Sequence, residues 1–199
     1  IDWWGAPNMD SPPLFDRILD ASSGGYFQIE PISDYRVDRR YRENSNVLET
    51  FYETASGCVM LTESLNSNYA GRLPWYELAR RVEGIKGEVE LRVIFVPGTA
   101  ACTRSPWIQN TNKGQVIHIG DLMAMRRTAD DVTVTHFDDH AIEGTVVARE
   151  GVRSLVALLV SHKEPLAVPS LEKIDGHIDI SDHVWQLWCE SLTYKGMFP

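Results

Sequence analysis

The stretch EVELRVIFV, residues 88–96, decides the fold because its first six side chains alternate between charged and apolar. Every odd-numbered residue from Val89 to Phe95 is apolar, whereas Glu88, Glu90 and Arg92 are charged. Successive side chains of an extended chain face opposite sides, so this pattern predicts an antiparallel strand with one buried face and one solvated face.

Short segments on both sides of this stretch carry the same β-strand signals. The other predicted strands are Tyr26–Pro31, Tyr35–Tyr41, Val47–Thr54, Cys58–Ser64, Tyr76–Glu83, Gln115–Ile119, Leu122–Arg126, Val132–His136, Ile142–Val147 and Ser154–Val160. Ala55-Ser56-Gly57 suits a hairpin connection, and Gly84–Gly87 is interpreted as a second hairpin turn, before Glu88. Roughly ten short strands separated by turn signals predict an all-β fold, a large antiparallel β-sandwich.

Helix signals occur only at the two ends of the chain. At the N-terminal end, Ser11 as a cap and an apolar face that ends at Leu19 predict one short helix. Lys163–Ser170 contains two prolines and is interpreted as a linker, followed by a helix over Asp182–Leu192. We therefore expect a β-sandwich domain over residues 1–162 and a linker with a terminal helix over residues 163–199.

Composition and charge exclude several classes of function. Hydrophobic residues make up 43% and charged residues 24% of the chain, as in ordinary globular proteins. The formal net charge of −9 argues against nucleic acid and anionic membranes as partners. The three cysteines, Cys58, Cys102 and Cys189, lie far apart, which favours free thiols in a cytoplasmic protein. Because the sequence starts at Ile1, a removed signal peptide stays open.

No catalytic or metal-binding constellation can be assigned from spacing. The 28 acidic residues offer no distinguishable acid–base pair, and Asp130-Asp131 and Asp138-Asp139 are typical of turns. His136 and His140 are four residues apart, but they lie in a predicted strand end and turn, without a third ligand. We therefore predict no catalytic residue in this chain, no metal and no cofactor.

The tryptophans suggest where a sugar would make contact, because sugars stack their apolar faces on aromatic rings. The N-terminal loop combines paired aromatic residues with polar ones, and its candidate substrate-proximal residues are Trp3, Trp4, Asn8 and Asp10. Trp75 and Trp107 are interpreted as core residues, because aromatic side chains bury large areas.

Three segments in the first half of the chain resemble the N-terminal domain of bacterial and archaeal glycoside hydrolase family 15 proteins. The first runs through Asp2-Trp3-Trp4, Asp10-Ser11-Pro12, Phe15–Asp20, Gly25-Tyr26-Phe27 and Pro31. The second contains Arg39-Arg40-Tyr41, Asn46–Thr50, Thr54, Gly57, Val59 and Thr62. The third contains Arg80–Gly84, Gly87–Val93 and Phe95-Val96-Pro97. Near the end, Trp185, Trp188, Leu192, Tyr194 and Gly196 resemble the family's junction between linker helix and catalytic barrel.

This resemblance implies a supersandwich of the galactose mutarotase-like type and a helical linker, with a catalytic (α/α)6 barrel in cis beyond Pro199. It also implies an inverting glycosidase of the glucoamylase, glucodextranase or trehalase kind as the parent protein, whose two catalytic glutamates lie outside this chain. Trp185, Trp188, Leu192 and Tyr194 are then candidate domain-interface residues, and their exposure predicts self-association through the terminal helix.

The leading interpretation is a non-catalytic domain that supports the folding of the barrel and lies near its substrate pocket. The main alternative is a stand-alone carbohydrate-binding β-sandwich that takes an α-glucoside or oligosaccharide. An independent mutarotase-like enzyme would need an acid–base pair on one sandwich face, and an adhesion module would not account for the three matching segments.

Overall fold

The computed structural model describes residues 1–67, 75–98 and 106–193. Its strands are β1 (Trp4–Gly5), β2 (Pro13–Phe15), β3 (Tyr26–Pro31), β4 (Tyr35–Tyr41), β5 (Leu48–Thr54), β6 (Gly57–Leu65), β7 (Trp75–Val96), β8 (Trp107–Thr111), β9 (Gly114–Ile119), β10 (Leu122–Thr128), β11 (Thr133–Phe137), β12 (Ile142–Arg149) and β13 (Arg153–His162). One helix, α1 (Leu171–Glu190), follows them. The β-sandwich expected from the sequence is confirmed.

Two antiparallel sheets share the long strand β7. The larger sheet has the order β4-β5-β6-β7-β13-β10-β9-β8, and the smaller sheet has the order β3-β7-β12-β11. The first half of β7 pairs with β6 and β13, and its second half pairs with β12 and β3. The stretch 88–96 is therefore the part of β7 that belongs to the smaller sheet.

The predicted hairpin turn at Gly84–Gly87 is wrong, because β7 continues through it for 22 residues. A Cβ atom at Gly84 would stand 2.1 Å from the Arg149 carbonyl oxygen, so only glycine allows this close approach. Gly87 has a φ of +66°, which also favours glycine. These glycines let one strand pass from one sheet to the other.

The alternation of side chains on β13 explains why the molecule has three layers. Val156, Leu158 and Val160 belong to the core between the two sheets. Leu155, Ala157 and Leu159 point to the opposite, outer face of the larger sheet, where Ile174 and Ile178 of α1 pack on them. Helix α1 therefore packs on part of the outer face, and the contact residues form a second small core. Burial of apolar surface there stabilises the fold by about 25 cal/mol per Å².

Both helix predictions need correction. Residues 11–19 form β2 and turns, because Leu14 and Phe15 are buried while Ile18 and Leu19 are exposed. The C-terminal helix begins at Leu171 instead of Asp182, with the Ser170 side chain accepting a hydrogen bond from the Lys173 backbone N–H. The residues that start it pack on the sheet, and such tertiary contact overrides the poor helix propensity of Gly176.

Candidate functional site

The N-terminal loop forms one wall of a cavity at the end of the larger sheet. The cavity has a volume of about 320 Å³ and lies between this loop, the β9–β10 turn and the end of β13. Its lining residues are Ala6, Pro7, Asn8, Ser11, Pro12, Ile119, Gly120, Asp121, Leu122 and His162. We call it the N-terminal loop pocket.

Aromatic packing and turn hydrogen bonds hold the loop in place. Trp4 meets Tyr76 edge to face, with ring centroids 6.4 Å apart, and the Tyr76 hydroxyl donates to the Pro7 carbonyl. The Ser11 hydroxyl accepts from the Asn8 backbone N–H at 3.1 Å, and the Ser11 N–H donates to the Asn8 carbonyl at 3.1 Å. The pocket wall is therefore fixed by contacts that reach the sandwich core.

The polar groups of this pocket suit hydrogen bonding to hydroxyl groups. Asn8, Ser11 and His162 provide donors and acceptors, and Asp121 forms an ion pair with Lys163 at 3.4 Å. Among the lining residues, all in the described part of the chain, Asp121 is the one carboxylic acid. Inverting hydrolysis needs two carboxyl groups on opposite sides of the bond, so this arrangement suits binding.

The four residues predicted near a substrate are not brought together in the pocket. Asn8 lines it, whereas Trp4 is half-buried and packs behind the loop on the core. Trp3 and Asp10 are absent from the lining, and the Trp3 side chain is 39% exposed. A role of these four residues near a substrate stays a prediction. Sequence reasoning missed Asp121 and His162, because pairing between β10 and β13 brings them to the loop.

The C-terminal end of α1 carries a second feature, an exposed aromatic pair. Trp185 and Trp188 meet edge to face with ring centroids 5.6 Å apart. Trp188 is 53% exposed, and Leu187 and Leu192 beside it are similarly exposed. The indole N–H of Trp185 is buried without a hydrogen-bond partner in the part of the chain that the structure describes. Tyr194, the fourth predicted interface residue, lies outside the described residues.

The first turns of α1 are fixed by ion pairs to the larger sheet. Arg81 is buried, and its guanidinium donates to Asp175 Oδ1 at 2.6 Å and to Asp179 at 3.2 Å. Burial alone would lower the pKa of Arg81, but the hydrogen bonds and charges of the two aspartates outweigh it and raise the pKa above its ordinary value. Arg42, which follows β4, similarly donates to Asp182 at 3.1 Å. This network sets the position of the helix.

The remaining sequence candidates lie in ordinary structural surroundings. Asp138 closes the β11–β12 turn by accepting from the His140 and Ala141 backbone N–H groups, which lowers the pKa of its carboxyl. Within residues 1–67, 75–98 and 106–193, no three histidine, cysteine or acidic side chains are placed to hold a metal ion. Cys58 and Cys189 are free thiols, and Cys102 lies outside the described residues.

Two of the tryptophan interpretations are wrong. Trp75 is 40% exposed and Trp107 is 50% exposed, so neither belongs to the core. Trp107 stacks flat on His118 across the β8–β9 pair, with centroids 3.9 Å apart. Both tryptophans lie on the outer face of the larger sheet, and their exposure follows from strand register, which the sequence alone does not reveal.

The chain is a β-sandwich with a small cavity lined by both polar and apolar groups, and comparison with known proteins adds a likeness to trehalases. No family model matches the chain. Over its whole length the chain is 27% identical to a trehalase of Thermoplasma acidophilum and 26% identical to a trehalase of Thermoplasma volcanium. A segment of 77 residues is 35% identical to trehalase 2 of Sulfolobus acidocaldarius. The chain spans about a third of the length of the two Thermoplasma proteins, 34% and 32%.

The described part of the chain, which lacks only 68–74, 99–105 and 194–199, contains no helix long and apolar enough to cross a lipid bilayer.

Proposed function

We propose that this chain is the non-catalytic N-terminal β-sandwich domain of a glycoside hydrolase of the family 15 type. The parent enzyme hydrolyses an α-glucosidic bond, with trehalose as the leading substrate and maltose-type glucosides as the alternative. The observation that carries the proposal is the match of the whole chain to about a third of the length of two trehalases. The catalytic carboxyl groups are assigned to the remaining part of such a protein.

The N-terminal loop pocket and helix α1 support the proposal that this chain contacts sugar and a second domain, while bond cleavage takes place in that second domain. The N-terminal loop pocket offers one carboxylic acid and several hydroxyl-binding groups, which suits contact with a sugar better than bond cleavage. The exposed end of α1, with Leu187 and Trp188, offers an apolar surface that a second domain would cover. Residues 1–162 then form the sandwich, and residues 163–199 bridge it to the catalytic barrel.

Hydrolysis assays on two forms of the protein test this proposal. We expect the 199-residue chain to release no glucose from trehalose or maltose, and a polypeptide that continues past Pro199 to release glucose from one of them. In that longer polypeptide, Trp188→Ala is expected to lower the rate, whereas the control Trp107→Ala, on the edge strand β8, leaves it unchanged. Glucose release by the 199-residue chain alone would contradict the proposal.

A second candidate function is a stand-alone carbohydrate-binding module. The cavity beside Asn8, with Asp121 and His162 at its wall, is the observation that favours it. Calorimetric titration of the 199-residue chain with maltose, trehalose and isomaltose decides between the two functions. Saturable binding that Asn8→Ala abolishes would support the module, provided that the longer polypeptide is inactive on the same sugars.

A further inference from the structure

A second cavity lies on the outer face of the larger sheet, away from the N-terminal loop pocket. It has a volume of about 410 Å³ and is enclosed by β7, β13, the segment 163–170 and the start of α1. Its lining residues are Trp75, Tyr76, Glu77, Leu159, Val160, Leu166, Ala167, Val168, Pro169, Lys173 and His177. We call it the outer-face cavity.

The floor of this cavity is a buried and anchored carboxyl group. Glu77 is 2% exposed, and its Oε1 atom accepts from Asn66 Nδ2 at 2.6 Å. The same oxygen lies 2.8 Å from His177 Nδ1, so the imidazole of α1 is tied to the sheet through it. A carboxylate can accept about four hydrogen bonds, so Glu77 has capacity for a donor from a ligand. Lys173 also lines the cavity, and its ammonium group can donate a hydrogen bond.

The rim of the cavity presents an indole ring that its neighbours hold in place. Trp75 is 40% exposed, and its Nε1–H donates to the Pro165 carbonyl at 3.2 Å. Leu159, Leu166 and Val168 form the apolar walls between this ring and the floor. Mostly apolar walls with a few anchored polar groups are typical of small-molecule sites, and 410 Å³ lies within their usual size range.

Strand register provides a matched reference residue on the same face. Directly opposed residues run across the larger sheet in the order Trp75, Ser161, Met123, His118 and Trp107. Four strand spacings of about 4.8 Å therefore separate the two exposed tryptophans by about 19 Å. Trp107 shares the sheet face and the exposure of Trp75, but it does not line the cavity.

We propose that the outer-face cavity binds a pyranose ring, as a second carbohydrate site of this chain. The apolar face of the ring stacks on Trp75, and its hydroxyl groups donate to Glu77 and accept from Lys173. Glu77 Oε1 already accepts from Asn66 and lies 2.8 Å from His177 Nδ1, and a neutral sugar hydroxyl can add a further hydrogen bond to this carboxyl group. Only the choice of glucosides as probes rests on the proposed function.

Titration with methyl α-glucoside, maltose and trehalose tests this site on the 199-residue chain, with binding followed by saturation-transfer NMR and calorimetry. We expect Trp75→Ala to weaken binding about tenfold, equivalent to about 1.4 kcal/mol, because the variant lacks the indole ring on which the sugar stacks. Trp107→Ala is the control and is expected to change the affinity less than about twofold.

A cavity-filling variant keeps the test decisive if Trp75→Ala fails to fold. Ala167 is exposed and lines the cavity, so Ala167→Phe is expected to block the site while it leaves Trp75 and Glu77 in place. Absence of binding to the unmodified chain would overturn the inference, as would full binding by Ala167→Phe. Loss of binding in Asn8→Ala, with binding retained in Trp75→Ala, would also overturn the inference, because the sugar would then bind in the N-terminal loop pocket. None of these results depends on glucose release by the longer polypeptide, which tests the proposed function separately.

Discussion

The two halves of α1 have opposite relations to the rest of the chain. The docked half, 171–182, contributes Ile174 and Ile178 to the core on the outer face of the larger sheet and pairs Asp175 and Asp179 with Arg81. The outer half, 183–190, exposes Leu187 and Trp188, two of its largest apolar side chains. Among residues 1–67, 75–98 and 106–193, the docked half has partners that account for its position, whereas Leu187 and Trp188 of the outer half stay exposed.

This difference separates residues that stabilise the fold from residues that we propose for an interface. In the docked half, Ile174 and Ile178 are buried, and Asp175 and Asp179 accept hydrogen bonds from Arg81. These side chains therefore contribute to the free energy of unfolding of the chain itself. An exposed indole gives little stability until a partner surface covers it, because burial is the source of the hydrophobic contribution. Substitutions in the two halves should therefore act on different measurements.

Ile174→Ala is expected to have the largest effect on the chain alone. Ile174 is fully buried, so the truncation leaves a cavity and should lower the free energy of unfolding by about 2–5 kcal/mol. Urea denaturation measures the change. Ile180→Ala on the same helix is the control. Ile180 is 37% exposed, so its truncation should lower the free energy of unfolding by less than about 1 kcal/mol. Equal losses in both variants would mean that the helix does not dock as described.

Arg81→Met is expected to have the next largest effect. The substitution removes charge-assisted hydrogen bonds to Asp175 and Asp179 and should cost about 1–3 kcal/mol in the same denaturation experiment. The partners are partly exposed, so the cost stays below that of a fully buried pair. Arg149→Met provides a surface reference, because the Arg149–Glu88 pair is exposed on both sides and should change stability by less than about 1 kcal/mol.

His177→Leu should have a smaller effect. It removes one hydrogen-bond partner of the buried Glu77, while Asn66 still donates to the same carboxylate, so we expect a loss of about 1–2 kcal/mol. His183 lies in the outer half and is exposed, and His183→Leu should leave the denaturation midpoint unchanged. A midpoint that shifts as much for His183→Leu as for His177→Leu would contradict the division between the two halves.

Trp188→Ala is expected to change the stability of the 199-residue chain least, by less than about 0.5 kcal/mol. In a polypeptide that continues past Pro199, the same substitution should destabilise the protein and lower glucose release, because the indole is then covered. Thermal denaturation of both forms checks the pair of expectations. A large loss in the short chain would show that the outer half already packs within this domain.

The alternation of side chains predicted most of the strands, and the positions where prediction failed share one cause. Tyr26–Pro31 and Tyr35–Tyr41 are correct at both ends, because their patterns are local. The hairpin expected at Gly84–Gly87, the N-terminal helix and the start of α1 were wrong. In each case the conformation depends on contacts between residues far apart in the sequence, such as the contact of Arg149 with Gly84. The spacing of residues within one segment does not predict such contacts.

The candidate sites were less predictable than the fold. Of the four candidate residues in the N-terminal loop, Asn8 lines a pocket, whose other wall comes from residues more than a hundred positions away. The outer-face cavity was not foreseen, because Glu77 and His177 meet only when α1 docks on the sheet. Trp75 and Trp107 were assigned to the core because composition does not distinguish an indole inside the sandwich from one on its outer face.

Amide hydrogen exchange along α1, compared between the 199-residue chain and a polypeptide that continues past Pro199, tests the central claim most directly. The docked half, 171–182, should be protected equally in both forms, since its partners lie within this chain. The outer half, 183–190, should exchange rapidly in the short chain and become protected in the longer one. Unchanged exchange of residues 183–190 would contradict the claim that this surface holds a second domain.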